Sequence, residues 1–358
     1  MSGKYRYFIF LLVALFLFSC KKEKDTGFTI SGELHNVQSD TLWVHDITTI
    51  KDSLFYVAMH ENRFAVSLPI DTDAVLEVID PVTFNSFILF AGKWGRSDVS
   101  GDMSDETKIT VSGGKDNELY NAFKRDYSSL RDSLAADSVA ASLDAASDSL
   151  CISFVRDNLL SRVSAFVIER FMMNRPKPDY VAIAELTEEL TGFVLDMPSM
   201  HRVKPVAEKK SKVSEGYYKP VSTMKLRSGK FIQARDYTGK KYCLLQFWAS
   251  WSQASRNANK EIDSLLGSVK KIGDKGFDII GVCLDSDTLA LDKAVEEDGI
   301  SWKQLCDGKS WDGTVADKYA VTDVPGNVLI SPDGSIVARD LDAGGLKLML
   351  DSLAKAKK

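Results

Sequence analysis

The run Tyr242-Cys-Leu-Leu-Gln-Phe-Trp-Ala-Ser-Trp-Ser-Gln-Ala-Ser-Arg256 decides how the C-terminal part of this 358-residue chain is read. Residues 242–249 are nearly all apolar, the pattern of a central strand buried on both faces of a parallel sheet. Polar residues then take over, and Ile262, Leu265, Leu266 and Val269 recur at helical spacing, so a helix follows the strand directly. Outward from this junction the two patterns alternate. Residues 277–284 read as a second buried strand, 289–297 as a helix and 302–306 as a third strand. The chain closes with a strand at 325–330, the turn Ser331-Pro-Asp-Gly334 and a strand at 335–339. Upstream, short strands at 224–226 and 231–233 flank Arg227-Ser-Gly-Lys230, a hairpin turn. Strands alternating with helices and ending in a hairpin predict an α/β layer structure over 213–358.

Two segments of this region carry a more specific likeness. Phe247-Trp-Ala-Ser-Trp-Ser-Gln-Ala-Ser-Arg256 resembles the F-W-A-S-W-C-x-x-C-R segment of envelope thioredoxins of the TlpA/ResA type. Val321-Thr-Asp-Val-Pro-Gly-Asn-Val-Leu-Ile-Ser-Pro-Asp-Gly334 is similar to the proline loop and final hairpin of that family, and Tyr237-Thr-Gly-Lys240 matches as well. The resemblance implies a thioredoxin-like fold over 213–358.

The chemistry departs from the family. In its active members one cysteine attacks a disulfide as a thiolate and the second resolves the mixed disulfide. The matching positions here are Ser252 and Ser255. A hydroxyl lies far above a thiol's pKa of about 8.5 and forms no disulfide. Gln246 stands where classical thioredoxins carry a buried aspartate, and Ala258 where TlpA/ResA-type members often carry a glutamate. The motif is therefore degenerate, and no catalytic residue is expected in it. A serine nucleophile would need an oriented base. His35, His45, His60 and His201 all lie outside the region, which argues against a hydrolase and, with no Cys/His cluster, against zinc. No cofactor is expected.

The resemblance also implies what is kept. Pro325 would be the cis-proline facing the motif, and Val324 would pair its backbone with an extended peptide, with Trp248 and Trp251 as apolar surface beside it. Such strand addition needs no thiol. The competing reading makes Trp248 core and gives Pro325 only a role in the fold. A second thiol reading concerns Cys283 and Cys306, which end two strands that the resemblance makes parallel neighbours. Strand spacing of about 4.8 Å is wider than the roughly 3.8 Å Cβ separation of a disulfide, so a bridge needs local distortion. Two independent small buried residues are the alternative. Cys243 begins its strand, roughly 16 Å by strand rise from that edge.

Upstream the period changes twice. Residues 28–113 alternate apolar and polar positions, as in Phe28-Thr-Ile-Ser-Gly-Glu-Leu34 and Arg63-Phe-Ala-Val-Ser-Leu68, and predict a small antiparallel β domain, a sandwich or open barrel. It resembles the β domain of unknown function that often precedes thioredoxin-like domains in bacterial envelope lipoproteins. Residues 114–203 read as helical: Tyr120, Phe123, Tyr127, Leu130 and Leu134 share one face, and Val155, Leu159, Val163, Phe166 and Val167 another. Cys151, just before the second stripe, reads as a small buried hydrophobe. Four lysines at 204–212 suggest a solvated linker.

The N-terminus is of another kind. Lys4 and Arg6 precede an apolar run at 7–18, too short to span a bilayer and suited to a secretory signal core. Leu17-Phe18-Ser19-Cys20 resembles a bacterial lipoprotein box, which makes 1–19 a signal peptide, Cys20 the lipidated residue and 20–27 a hydrated tether. A plain signal peptide or an uncleaved anchor is the alternative. The net charge of −5 argues against nucleic acid as a partner. The whole reads as a multidomain α+β chain: a membrane-tethered, non-catalytic thioredoxin-like protein of the cell envelope, on the periplasmic face of the outer membrane, that binds a protein or peptide partner. Its rivals are an oxidoreductase using Cys283 and Cys306, and a purely structural envelope module.

Overall fold

The computed structural model describes residues 27–48, 54–135, 140–221, 223–225, 229–233, 241–266 and 276–355. The expected signal segment, Cys20 and the expected tether up to residue 26, Arg227 and Ser228 of the expected turn, the 237–240 motif and Val269 lie outside the described residues. The chain divides into two compact units, 1–132 and 133–358.

In the first unit eight strands form two four-stranded sheets. One has the order β4 (Arg63–Leu68), β1 (Phe28–His35), β7 (Arg96–Asp102), β8 (Thr110–Ser112); the other runs β3 (Leu54–Ala58), β2 (Thr41–Asp46), β5 (Ala74–Ile79), β6 (Ser86–Ala91). Ile30 and Leu34 of the first sheet and Leu42, Val44, Leu76 and Phe87 of the second bury into one core, so the domain is a sandwich. The expectation of a purely antiparallel domain needs correction, because β1 and β7 pair in parallel. Gly32 permits that pairing: a Cβ there would lie 2.3 Å from the Val99 carbonyl oxygen. Helix α1 (Lys115–Ala135) begins in this unit. Its Asn117 side chain accepts from the Phe90 N–H at 2.7 Å and donates to the Phe90 and Gly113 carbonyls.

The second unit starts with helices α2 (Ala140–Asp157), α3 (Arg162–Val167), α4 (Tyr180–Glu189) and α5 (Pro198–Ser211), with a π-helical turn at Ile168–Met173. Ser161 caps α3 by accepting from the Val163 N–H, and Asp179 caps α4 by accepting from Val181 and Ala182. The solvated linker expected at 204–212 is absent. Helix α5 continues through Ser211 and buries Val203 and Ala207, and Lys209 pairs with Asp317. The lysine-rich composition concealed an i, i+4 apolar pair.

The α/β region opens with the antiparallel pair β9 (Thr223–Lys225) and β10 (Phe231–Gln233), and its five-stranded sheet has the order β13 (Lys303–Cys306), β12 (Phe277–Cys283), β11 (Tyr242–Trp248), β14 (Gly326–Ile330), β15 (Ile336–Arg339). Strands β11, β12 and β13 are parallel, whereas β14 and β15 complete the sheet antiparallel. Helices α6 (Gln253–Leu266), α7 (Thr288–Glu297), α8 (Thr314–Lys318) and α9 (Ala343–Lys355) accompany it. On one face Cys243, Leu245 and Phe247 pack with Tyr319 and Val328; on the other Leu244 packs with Ile262, Leu346 and Leu350. Strand β11 is thus covered on both sides, which is why its sequence runs apolar instead of alternating. Burying each such leucine or phenylalanine contributes roughly 1.5–3 kcal/mol. Among the described residues no helix is long and apolar enough to cross a membrane.

Candidate functional site

The carboxyl ends of β11, β12 and β13 share one edge of the sheet, the edge at which α/β folds place their sites. Strand β11 leaves it through Ala249, Ser250 and Trp251 into α6. Ser252 caps that helix: its Oγ accepts the Ser255 N–H at 3.2 Å. A hydroxyl acceptor satisfies one of the free N–H groups of the first turn. Ser255 is fully buried, and its Oγ has no partner among the described residues.

Ser255, Asn259 and Ile262 fall at i, i+4 and i+7 on α6, all buried. Ile262 packs on the face of β11 that carries Leu244, and Gln246 and Trp248 belong to that same face by strand alternation. The layer between β11 and α6 therefore holds Gln246, Ser255 and Asn259, three fully buried neutral polar side chains. Neither amide atom of Gln246 or Asn259 is paired among the described residues. These three side chains include no carboxylate, imidazole or thiol.

Trp248 is core. It is fully buried, and its Nε1 donates to Gln304 Oε1 at 2.9 Å. It cannot line a surface groove, which corrects that part of the peptide-binding expectation. Trp251, by contrast, is 62 % exposed. The Val324–Pro325 peptide is cis. Gly326 pairs with Phe247, so Pro325 sits at the sheet edge beside the end of β11. Val324 is buried, and its N–H is already engaged by Asp323 Oδ1 at 2.7 Å.

Beside this loop the structure brings together the two sequence-predicted thiols. Trp248, Cys283 and Cys306 lie in one register row across β11, β12 and β13. The Cys283 thiol donates to Asp285 Oδ2 at 2.7 Å, and the Asp285 N–H returns to Cys283 Sγ at 3.2 Å. Asp285 is buried and also accepts from the Ser250 N–H at 2.9 Å and from the Ser250 hydroxyl, tying the motif loop to the thiols. A hydrogen bond from Cys283 draws the Cys306 thiol below its ordinary range, against the opposing effect of burial and with help from the Gly308 N–H. The same bond raises Cys283, and burial raises it further. When protonated, Cys306 donates to the Asp285 carbonyl at 3.7 Å. Both cysteines line a cavity of about 650 Å³, together with Thr288, Asp292, Asp307 and Lys309.

The other cysteines stand apart. Cys243 pairs with Asp278 at the opposite end of β11, where burial pushes its thiol upward. Cys151 is buried among helices and is pushed up to about 12, also by burial. Among the described residues no three His, Cys, Asp or Glu side chains form a metal cluster.

Residues 219–339 match the AhpC/TSA family. Through this domain the chain belongs to the AhpC/TSA thioredoxin-like family. It is similar to the thiol-disulfide oxidoreductase ResA of Bacillus subtilis, with 27 % identity over 128 residues covering 36 % of this chain and 68 % of that protein. It is also similar to the solved structure of a thiol-disulfide oxidoreductase from Bacteroides fragilis, with 34 % identity, 38 % of this chain and 98 % of that one covered, and a TM-score of 0.36. A thioredoxin domain of a thiol-disulfide oxidoreductase from Bacteroides vulgatus is 28 % identical, covering 40 % and 99 % of the two chains with a TM-score of 0.36.

Sequence reading missed three residues of this thioredoxin-like domain: Asp285, Asn259 and Gln304. Asp285 had a signal, because it is the first acid after the apolar run at 277–284. Asn259 and Gln304 had none, since each is a single polar residue whose burial depends on packing.

Proposed function

We propose that this chain is a lipid-anchored, extracytoplasmic member of the thioredoxin-like family in which positions 252 and 255 carry out no dithiol exchange, and which binds a protein segment beside Trp251 and the Val324–Pro325 loop. The observation that carries the reading is the Ser255 N–H to Ser252 Oγ cap above a buried layer of Gln246, Ser255 and Asn259. A helix start and its support are built there from neutral groups, where a dithiol enzyme needs a thiolate and a proton acceptor. Exposed Trp251 supplies the apolar surface for a partner, as aromatic anchors do at interfaces. The anchor rests on Cys20 at the end of the apolar run at 7–18.

Insulin reduction by the full chain carrying Cys283→Ser and Cys306→Ser tests the first half of the reading. No turnover above background is expected, and turnover that Ser252→Ala abolishes would overturn it. A photo-crosslinker at position 251 in cells tests the second half. Capture of one defined protein, lost on competition with a peptide from that protein, is the expected result. Crosslinks no more frequent than from an exposed position on β3 would refute a partner site here.

A further inference from the structure

The sheet edge contains a sulfur arrangement independent of positions 252 and 255 and of the binding role proposed above. Cys283 and Cys306 are directly opposed on neighbouring parallel strands, Asp285 is hydrogen-bonded to the first, and both open onto one cavity. We propose that Cys306 and Cys283 form a thiol–disulfide exchange site, with Cys306 as the attacking sulfur, Cys283 as the resolving sulfur and Asp285 as the proton acceptor, acting on a disulfide that enters the cavity.

The geometry assigns the roles. Cys306 is the more open of the two, whereas Cys283 beside it is buried. The Cys283 thiol donates to the Asp285 carboxylate and keeps its proton there, whereas the more open Cys306 thiol is drawn below its ordinary range by its neighbour Cys283. Thiolate character and access together select the attacking sulfur. A cavity of about 650 Å³ suits a small disulfide or the cystine of a peptide loop.

The chemistry balances without another oxidant. The Cys306 thiolate attacks one sulfur of R–S–S–R′, the substrate S–S bond breaks, and R′–S⁻ leaves to take a proton from solvent. Cys283 passes its proton to Asp285 and attacks the Cys306 sulfur of the mixed disulfide. The Cys306–S–R bond breaks, R–S⁻ leaves and is protonated from Asp285, and a Cys283–Cys306 disulfide remains. Two electrons have passed from the cysteine pair to the substrate.

Closing that last bond requires movement. Paired strands lie about 4.8 Å apart, within the Cα range for disulfides, while the Cβ atoms must approach to about 3.8 Å. Strand β13 is the outermost of its sheet and Cys306 is its last residue, followed by Gly308 at φ +69°. The end of an edge strand leading into a glycine turn can shift by the required ångström without disturbing the sheet.

The test is peptide mapping by mass spectrometry on the full chain, incubated folded at neutral pH with glutathione disulfide in one arm and a cystine-bridged peptide in the other. Wild-type protein is expected to lose two hydrogens, with Cys283 and Cys306 recovered in one bridged fragment. Cys283→Ser should accumulate the mixed disulfide at Cys306, and Cys306→Ser should react no faster than Cys151 and Cys243 do. Reaction in only one arm identifies the kind of disulfide admitted and supports the site equally. The proposal fails if both thiols of the folded wild type stay unmodified while the unfolded chain reacts at both. It also fails if wild type stops at a mixed disulfide with no bridge, or if Cys306→Ser leaves the rate unchanged.

Discussion

Gln304 reaches across β12 to Trp248, and Gly281 is the residue that lets it pass. The amide oxygen accepts the buried indole N–H at 2.9 Å, and a Cβ on Gly281 would sit 2.1 Å from that oxygen and 2.7 Å from the amide carbon and nitrogen. Gly281 pairs with Gln246 on one side and Gln304 on the other, so the glycine is the gap in the row through which the bond is made.

Gly281→Ala should therefore act through a tryptophan it never touches. The new methyl displaces the Gln304 amide and leaves the Trp248 N–H buried without an acceptor, a loss of about 1–3 kcal/mol. Urea unfolding followed by tryptophan fluorescence should show the loss, and Gly281→Ala combined with Gln304→Ala should recover space without recovering the bond. A stability unchanged within error would mean the bond contributes nothing.

Gln246 makes the opposite case. Both of its amide atoms are buried and unpaired among the described residues, and a buried polar group without a hydrogen bond costs about 1–3 kcal/mol on mutational scales. Gln246→Met keeps the volume and removes that cost. The expected result is a thermal midpoint at or above that of wild type, measured by circular dichroism. A drop comparable to a cavity mutation would show that the amide is held by something that offsets its burial.

The fold of the thioredoxin-like domain was legible because its evidence is local and repeated. The apolar run at 242–248 and the alternation of strands and helices that follows depend on period alone, and the observed elements agree within a residue or two. The two segments around Ser252 and Pro325 added the register of the site. What could not be read was each property set by contact across the sheet. Burial of Trp248 follows from the row it shares with Cys283, and the Asp285 link to Ser250 joins residues 35 positions apart. The helix at Pro198–Ser211 was hidden for another reason: four lysines at 204–212 outweighed Val203 and Ala207 in the composition, although it is the buried positions that decide whether a helix packs.

Acid should unfold this domain partly through Asp298. Its buried carboxylate receives Arg256 Nε at 2.7 Å and Nη2 at 2.9 Å, with Lys260 at 3.2 Å, which joins α6 to the end of α7. The Arg256 bond holds the Asp298 carboxyl below the usual range in the fold. A carboxyl depressed in the folded state contributes its stability above the unfolded value of about 3.9 and loses it as pH falls through the folded one. Asp298→Asn should cost about 1.5–3 kcal/mol at neutral pH and flatten the stability profile below about pH 4. Denaturant titrations at several pH values would read both effects, and a parallel downward shift at every pH would contradict the titration.

The proposal that positions 252 and 255 stand where a dithiol would act can be tested by placing one there. Position 252 caps the first turn of α6, where the partial positive charge of a helix N-terminus favours a thiolate, and position 255 is buried behind it as a resolving sulfur would be. Ser252→Cys with Ser255→Cys, in a Cys283→Ser and Cys306→Ser background, should form a reducible disulfide and gain insulin-reducing activity that neither single cysteine shows. Replacing the cap removes a good acceptor, so Ser252→Ala should lower stability by about 1 kcal/mol, and the cysteine variant should fall between it and wild type. Adding Gln246→Asp places a proton acceptor in the layer beneath and should raise the rate of the restored enzyme at neutral pH while lowering its stability, because a carboxyl replaces an amide in a fully buried site. An inactive double-cysteine variant that nevertheless folds and oxidises would show that the loss lies in more than the two sulfur atoms and the acid, and would point to the neighbouring loop, where Asp323 occupies the Val324 N–H.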